Sequence, residues 1–563
     1  MSTLYRDRTP RSLNFASGGT PGLPLDKYII VRQPNCAKTL RAARRSSTVA
    51  SLTVTVLLAA VPEFAIGQSL QTDSSAAARA GAIAHAQKMR RLFPDIGGDT
   101  QATPPVIPQL EIDPDPSGAI ATFQPNGPTI TAKNAFFQNL GTNGRTCGTC
   151  HQSGDGWSLS AQHAHDRFEA NPNDPLFRLV DGATCPSDDV STHREKRKAY
   201  RLLRSKGLIR IGLPIPSDGL EFQIIGVDDP YGCNTNSTTG LTGSTTGTVS
   251  VYRRPLPAAN LGFLSTIMWD GREPNLFSQA VDATLGHAEG TVKPTPLQQQ
   301  QIVTFEGCTQ ALTPDLCANT PAGAGVFTAQ IFDDTGRYLF GNGANGGPIS
   351  LSKQLARFFI GVNDPLGQNP TGVQFNPEIF DLYSNWNGLP GHDDKTDQRQ
   401  AIVRGEELFN TTKINITGVT GLNDALNQPT ISGVCGTCHD TPSVGNHSVK
   451  APLNIGIADA GAASPPALDI AGLPVFTIAC TSGLLAGEIF EVTDPGRALI
   501  TGKCADIGKV KGPILRGLAA RAPYFHNGSA ATLADVVEFY NQRFDIGFTD
   551  QQKADLAAFL SAL

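Results

Sequence analysis

The chain has 563 residues, 40% of them hydrophobic and 17% charged, with a formal net charge of −5. That length exceeds one ordinary domain and accommodates two or three. The mild acidity leaves no footprint for nucleic acid, and the hydrophobic content is that of a globular chain rather than a disordered one.

Residues 1–40 are rich in Pro and Arg, and 41–68 read as a secretory signal. Arg41, Arg44 and Arg45 form a basic region, 49–61 a short apolar run, and Ala65-Ile66-Gly67 a small-residue cleavage point before Gln68. The run is short for a membrane span, so an uncleaved membrane anchor is the lesser alternative. Residues 1–67 are thus a presequence with a signal peptide, and the periplasm is the expected compartment. An Ala-rich helical stretch over 75–91 opens an irregular N-terminal segment, 68–130, whose later part is Pro-rich.

A first large unit spans 131–395. It opens with a short amphipathic helix over 134–140 that carries Phe136, Phe137 and Leu140 toward the sequence Cys147-Gly-Thr-Cys-His151. A long insertion follows, with His163 and His165, then a basic helix over 193–206 whose apolar side holds Tyr200, Leu202 and Leu203. Its charge reads as a solvated face or as a dock for an acidic partner. Residues 234–248 form a Thr/Ser/Gly loop. Met268-Trp-Asp-Gly-Arg-Glu273 precedes a helix over 275–285, and further helices are predicted over 296–305 and 350–361. Residues 363–395 are loop-rich.

A second unit spans 396–563. A helix over 397–410 leads to Cys435-Gly-Thr-Cys-His439, a repeat of the first pentapeptide without change. A helix over 532–540 is capped by Thr532, with Asp535 three residues on. The last helix, 549–563, puts Leu556, Phe559, Leu560 and Leu563 on one face. Helices separated by long loops, with few alternating strands, predict a mainly α fold.

Cys-x-x-Cys-His is the attachment pattern of a c-type haem. Two thiols one turn apart add across the vinyl groups, and the next residue offers an imidazole to the iron. With 11 Cys and 10 His in the chain, chance predicts about 0.004 such sites. A redox pair needs no His, and a zinc site would want further Cys/His pairs nearby. Two covalently bound haems are therefore expected, held by Cys147 and Cys150 with His151, and by Cys435 and Cys438 with His439.

Beyond Cys36 and the four haem cysteines, six remain. An even remainder in an exported protein predicts three disulfides. Of the 15 pairings six thiols allow, proximity favours Cys185–Cys233, Cys308–Cys317 and Cys480–Cys504.

Four blocks together resemble the bacterial di-haem cytochrome c peroxidase family, which includes the MauG-type enzymes. They are the two pentapeptides, Trp269-Asp-Gly-Arg272, and Arg521-Ala-Pro-Tyr-Phe-His-Asn-Gly-Ser529 leading to Thr532, Leu533 and Tyr540. Lys511-Gly-Pro-Ile-Leu-Arg516 fits as well. The resemblance covers about 131–563. It implies two cytochrome c-like haem domains with long loop-rich insertions, a peroxidatic N-terminal haem domain over 131–395 and an electron-transfer haem domain over 396–563. Gly405 and Phe409 match positions where such folds cross helices closely.

The resemblance also assigns roles. Trp269 matches the tryptophan between the haems. The family's Gln ten residues later and its catalytic Glu ten further fall on Gln279 and Glu289. A carboxylate over an open iron site can take and return the proton that peroxide cleavage moves, and Gln279 can hold peroxide or water by a hydrogen bond. His287, close in sequence, joins the pocket or serves as a structural hydrogen-bonding His. The sixth ligand of the second haem is Met in better-known members, but the three Met here are Met1, Met89 and Met268. The matching position is Tyr540, as in MauG-type members, and a phenolate favours ferric and higher-valent iron. A removable ligand of the first haem falls to His163 or His165, or the site is open. The family binds calcium partly through an Asn before the Trp block; Arg253-Arg254 stand there, a cation where an oxygen ligand is needed. Carbonyls near Arg521 and Pro523 remain available to calcium.

The leading expectation is reduction of hydrogen peroxide at the N-terminal haem. Electrons would come through the C-terminal haem from a small periplasmic donor such as a cytochrome c or cupredoxin. The alternatives are a MauG-like peroxide-dependent oxidase of a protein or organic substrate, a di-haem oxygenase, and a non-catalytic electron carrier. Oligomeric state stays open, a homodimer included.

Overall fold

The structure is a computed structural model that describes residues 105–234, 247–308, 314–321, 323–331, 346–367 and 369–563. All belong to one compact unit, Thr72–Leu563. The predicted signal over 41–68, the helix over 75–91 and most of the 234–248 loop lie outside the described residues.

In chain order the helices that shape the site are α1 (Ala161–Ala170), α2 (His193–Ala199), α3 (Arg201–Lys206), α4 (Leu276–Gly286), α5 (Pro296–Glu306), α6 (Asp394–Thr411), α7 (Leu533–Arg543) and α8 (Asp550–Ser561). Their starts are written in the sequence. Asn275 accepts from the Ser278 N–H at 2.9 Å to open α4. Thr295, Pro296 and Gln298 form a capping box with proline at the first turn of α5, and Thr532 with Asp535 does the same for α7. The basic run predicted as one helix is two, α2 and α3, meeting at Tyr200. Much of its charge is answered internally: Arg197 and Arg204 both reach Glu169, and Lys206 reaches Asp469.

The mainly α expectation is corrected. Helix accounts for 31% and strand for 16%, with several small sheets. Apart from a two-residue antiparallel pair, Val106–Ile107 with Thr129–Ile130, the strands are β1 (Leu110–Asp115), β2 (Gly118–Phe123), β3 (Ile209–Pro214), β4 (Phe222–Asp228), β5 (Thr248–Arg253), β6 (Phe327–Ile331), β7 (Ile414–Thr417), β8 (Thr430–Gly433), β9 (Val475–Cys480) and β10 (Ile489–Val492). All pair antiparallel: β1 with β2 with β6, β3 with β5, β7 with β8, and β4 with β9 with β10. The physical reason is that the insertions between the helices carry short runs rich in β-branched and aromatic residues, which satisfy their backbone in short ladders. Phe222 and Ile224 on β4 face a core with Phe476 and Ile478 on β9, so the first unit's insertion pairs directly with the second unit's. Each ladder is only four to seven residues long, which gives alternation little room to register in a sequence.

The three expected disulfides form: Cys185–Cys233, Cys308–Cys317 and Cys480–Cys504. The predicted close crossing also forms. α6 lies on α8 at Gly405, where a Cβ would come 2.1 Å from the Asp555 carbonyl oxygen. Phe409 packs on Phe559 and Phe380 beside it.

Candidate functional site: two thiol-lined cavities and their shared wall

Each pentapeptide forms the same turn. Cys147–Thr149 and Cys435–Thr437 are single 3-10 turns. The hydroxyl of the third residue accepts the N–H that precedes the turn, Thr146 N–H to Thr149 Oγ1 and Val434 N–H to Thr437 Oγ1, both at 2.9 Å. His151 N–H then bonds to the Cys147 carbonyl at 3.0 Å, and His439 N–H to the Cys435 carbonyl at 3.1 Å. The Gly is steric: a Cβ on Gly148 would sit 2.9 Å from Phe137 Cδ1, and one on Gly436 2.5 Å from Ile379 Cγ1. Both imidazoles are fixed alike. His151 Nδ1 lies 2.9 Å from the Trp157 carbonyl and His439 Nδ1 2.6 Å from the Gly445 carbonyl. A carbonyl can only accept, so Nδ1 carries the proton and Nε2 keeps its lone pair, the tautomer that ligates a metal. Burial holds both rings neutral, His439 down to about 4.

Every turn opens on its own cavity. Cys147, Cys150 and His151 line a void of about 1440 Å³, mouth included, walled by Leu264, Ile267, Leu276 and Ile302. Cys435, Cys438 and His439 line one of about 1640 Å³, walled by Ile414, Leu453, Val536 and Phe544. The four thiols are free, while the other six described cysteines are oxidised in pairs. Two thiols, a neutral imidazole and a large apolar void make a donor set suited to a haem with thioether links.

Trp269, Arg254, Pro255, Pro257 and Lys511 line both cavities. Trp269 Nε1 donates to the Arg254 carbonyl at 2.8 Å, and the Trp269 carbonyl accepts from Lys511 N–H at 2.8 Å. The indole meets the buried His526 ring edge-on, centroids 6.1 Å apart. The neighbours of this segment are held by charge. Arg253 bonds Asp494 through Nε at 2.7 Å and reaches Asp270 through Nη1, all three side chains buried. Arg254 donates to the carbonyls of Lys206, Gly207 and Arg521. The Arg521 carbonyl, one of the oxygens the sequence left to calcium, is thus occupied by a guanidinium. Burial lowers Lys511 to about 7, with Arg521 adding to the effect.

Gln279, on α4, lines the first cavity, as does His287 just past the helix end. His287 Nδ1 is 2.6 Å from Asp181 Oδ2, and Arg145 holds the other Asp181 oxygen. Glu289 stands at the rim, exposed and off the cavity wall, at φ 52°. Its Oε2 accepts from Asn143 Nδ2 at 3.0 Å, and the same amide donates to the His287 carbonyl at 2.9 Å. Neither His163 nor His165 lines the cavity. His163 Nδ1 is 2.8 Å from Asp155, and His165 faces Arg204. Tyr540, on α7, lines the second cavity beside Phe525 and Phe544, and burial raises its phenol. Sequence reasoning did not single out Asp181, His447 or Glu306. Glu306 lines the first cavity and His447 the second. Their types are common, and only the fold carries them to a cavity wall.

No protein-family model matches the chain. Among curated proteins it is 40% identical over 81 residues to cytochrome-c peroxidase IdrP1 of Denitromonas iodatirespirans, 12% of this chain and 22% of that one. It is 26% identical over 259 residues to cytochrome c551 peroxidase of Nitrosomonas europaea, 44% of this chain and 64% of the relative. The matches thus span less than two thirds of these relatives' length. A solved MauG-like protein associated with microbial copper homeostasis aligns over 76% of this chain and 87% of that one, at 16% identity and a TM-score of 0.30, too loose to carry an argument. Over these stretches the chain is similar to bacterial cytochrome c peroxidases. Among the described residues, no helix is long and apolar enough to cross a membrane.

Proposed function

We propose that each cavity holds one covalently attached c-type haem, and that the chain is a periplasmic peroxidase. Hydrogen peroxide is reduced at the Cys147/His151 site, and electrons arrive through the Cys435/His439 site from a small redox protein. One observation supports this above the others: two identical Cys-Gly-Thr-Cys-His turns open on separate cavities with Trp269 in the wall between them. Bound haem supplies the redox chemistry that splits an O–O bond with two electrons and two protons, giving two waters.

The protein's share is placement and proton handling. His151 and His439 would hold the haem iron through Nε2. The Gln279 amide holds peroxide by hydrogen bonding inside the first cavity. Glu289, at the rim, would serve as general base and then acid for the proton that peroxide cleavage moves. Asn143 ties it to His287 at the rim, from which a carboxylate exchanges protons with water. Trp269 carries electrons across the shared wall.

Tyr540 favours a second reading of the same machinery. The phenol lines the second cavity with no hydrogen bond to another described residue, so its oxygen is free to ligate. A phenolate there would stabilise oxidised iron and suit a MauG-type peroxide-dependent oxidase, which stores oxidising equivalents for a protein or organic substrate.

The test is rapid mixing of the fully ferric protein with peroxide, followed by absorption. An immediate Soret change with a lasting oxidised species supports an open first site and the oxidase reading. Reaction only after half-reduction supports conventional peroxidase cycling. No reaction in either state overturns the peroxide assignment.

A further inference from the structure

α5 ends at Glu306 in the wall of the first cavity. The residue is 5% exposed, and Oε2 has no hydrogen-bond partner among the described residues. Ile302, one turn earlier, lines the same wall, and Phe305 packs on Phe136 with centroids 4.6 Å apart. Glu306 therefore cannot swing out to water without unpacking α5. It is near enough to Cys147 to push that thiol's pKa further up.

No described neighbour compensates for this burial. α5 packs against α4 and the turn Ala135–Phe137. Their only ionisable side chain is Asp282, half exposed and facing Arg272. The other ionisable groups around the cavity are Cys147, Cys150, His151, Asp181, His287, Arg145, Arg253, Arg254, Arg272 and Lys511. None forms a salt bridge with Glu306; Arg145 and His287 are spent on Asp181, and Arg253 and Arg272 on Asp270. Burial alone raises the carboxyl to about 8, so it carries a proton at neutral pH.

We propose that Glu306 is the redox-linked proton site of the first cavity, losing its proton when the haem there is oxidised and regaining it on reduction. The proposal rests on the haem reading above. Oxidation removes one electron, to the second haem or to the oxidant of a titration, and leaves one added positive charge inside an apolar wall. The O–H bond of Glu306 breaks, its proton leaves to solvent, and the carboxylate offsets that charge. Reduction reverses both transfers. A nearby positive charge in a low-dielectric site favours the ionised carboxyl, and linkage makes the effect mutual.

The experiment is a potentiometric titration of the first haem in the full-length protein from pH 6 to 10, for wild type, Glu306→Gln and Glu306→Asp. In the wild type the potential falls with pH by up to about 59 mV per unit, the constant for one proton per electron. Glu306→Gln flattens that slope, and Glu306→Asp, which keeps the acid, retains it. A redox-difference infrared spectrum of glutamate-labelled wild type shows loss of one carboxylic C=O band on oxidation, and this decides the matter if the Gln variant does not fold. An unchanged slope in Glu306→Gln, or no carboxyl band in the difference spectrum, overturns the proposal while leaving the haem reading intact. Purified protein without covalent haem overturns both.

Discussion

Trp269 gives its indole N–H to the carbonyl of Arg254 at 2.8 Å, and the two residues share the wall between the cavities. The bond fixes the plane of the ring on a segment already held by Arg253 between Asp270 and Asp494. The Trp269→Phe variant keeps an aromatic ring but loses the bond. Stability should fall by about 1 kcal/mol in urea unfolding. In stopped-flow absorption, electron passage from the second haem to the first should slow severalfold while both haem spectra stay intact. Unchanged inter-haem transfer would remove Trp269 from the electron path.

Arg254 satisfies three carbonyls from two distant stretches of chain, Lys206 and Gly207 on one side and Arg521 on the other. Arg254→Met keeps the stem and removes the donors. Each carbonyl left buried and unpaired costs about 1–3 kcal/mol. The midpoint of chemical unfolding should drop accordingly, and added calcium should not restore it.

The two pentapeptide turns are separable. Cys147→Ser with Cys150→Ser should leave one covalent haem per chain, and Cys435→Ser with Cys438→Ser the other. Intact-protein mass and the alkaline pyridine spectrum count them directly. Loss of neither mass increment would exclude thioether attachment at these sites. Tyr540→Phe should alter only the spectrum of the protein that retains the second haem.

Gly405 tolerates no side chain, because its Cβ would meet the backbone of α8 at Asp555 and the Phe559 Cβ at 2.6 Å. Gly405→Ala gains helix propensity of about 1 kcal/mol. The forced separation of α6 and α8 should outweigh that, for a net loss of about 1–3 kcal/mol. Thermal unfolding checks it.

Stability should decline from about pH 5 to pH 8. Burial raises Glu111 to about 8, Asp115 to about 7 and Asp113 to about 6 on β1. In this window these three carboxyls hold more protons in the folded chain than in the unfolded one, so their contribution to the slope of stability against pH is negative. The contribution is fully present below the unfolded carboxylate pKa near 4 and is lost as pH rises through the folded values. Asp115→Asn should flatten the upper part of the decline in urea titrations at stepped pH.

The sequence by itself determined what depends on local geometry and fixed chemistry. Cys-Gly-Thr-Cys-His states its own turn, because Thr caps it, Gly clears the neighbour and the thiols fall one turn apart. Six further cysteines found the partners their spacing favoured. Thr532 announced its helix, and Gly405 its crossing. What only the tertiary structure decided were the long-range choices. The pairing of β4 with β9 joins residues some 250 positions apart through ladders too short to mark a sequence. Arg253 and Arg254 became ties between distant segments. His163 and His165 turned to Asp155 and Arg204 instead of the first cavity, Glu289 went to the rim, and Glu306, unremarkable in sequence, was carried into an apolar wall. Burial is a property of the folded assembly, and it is burial that turns an ordinary carboxyl into one that holds its proton.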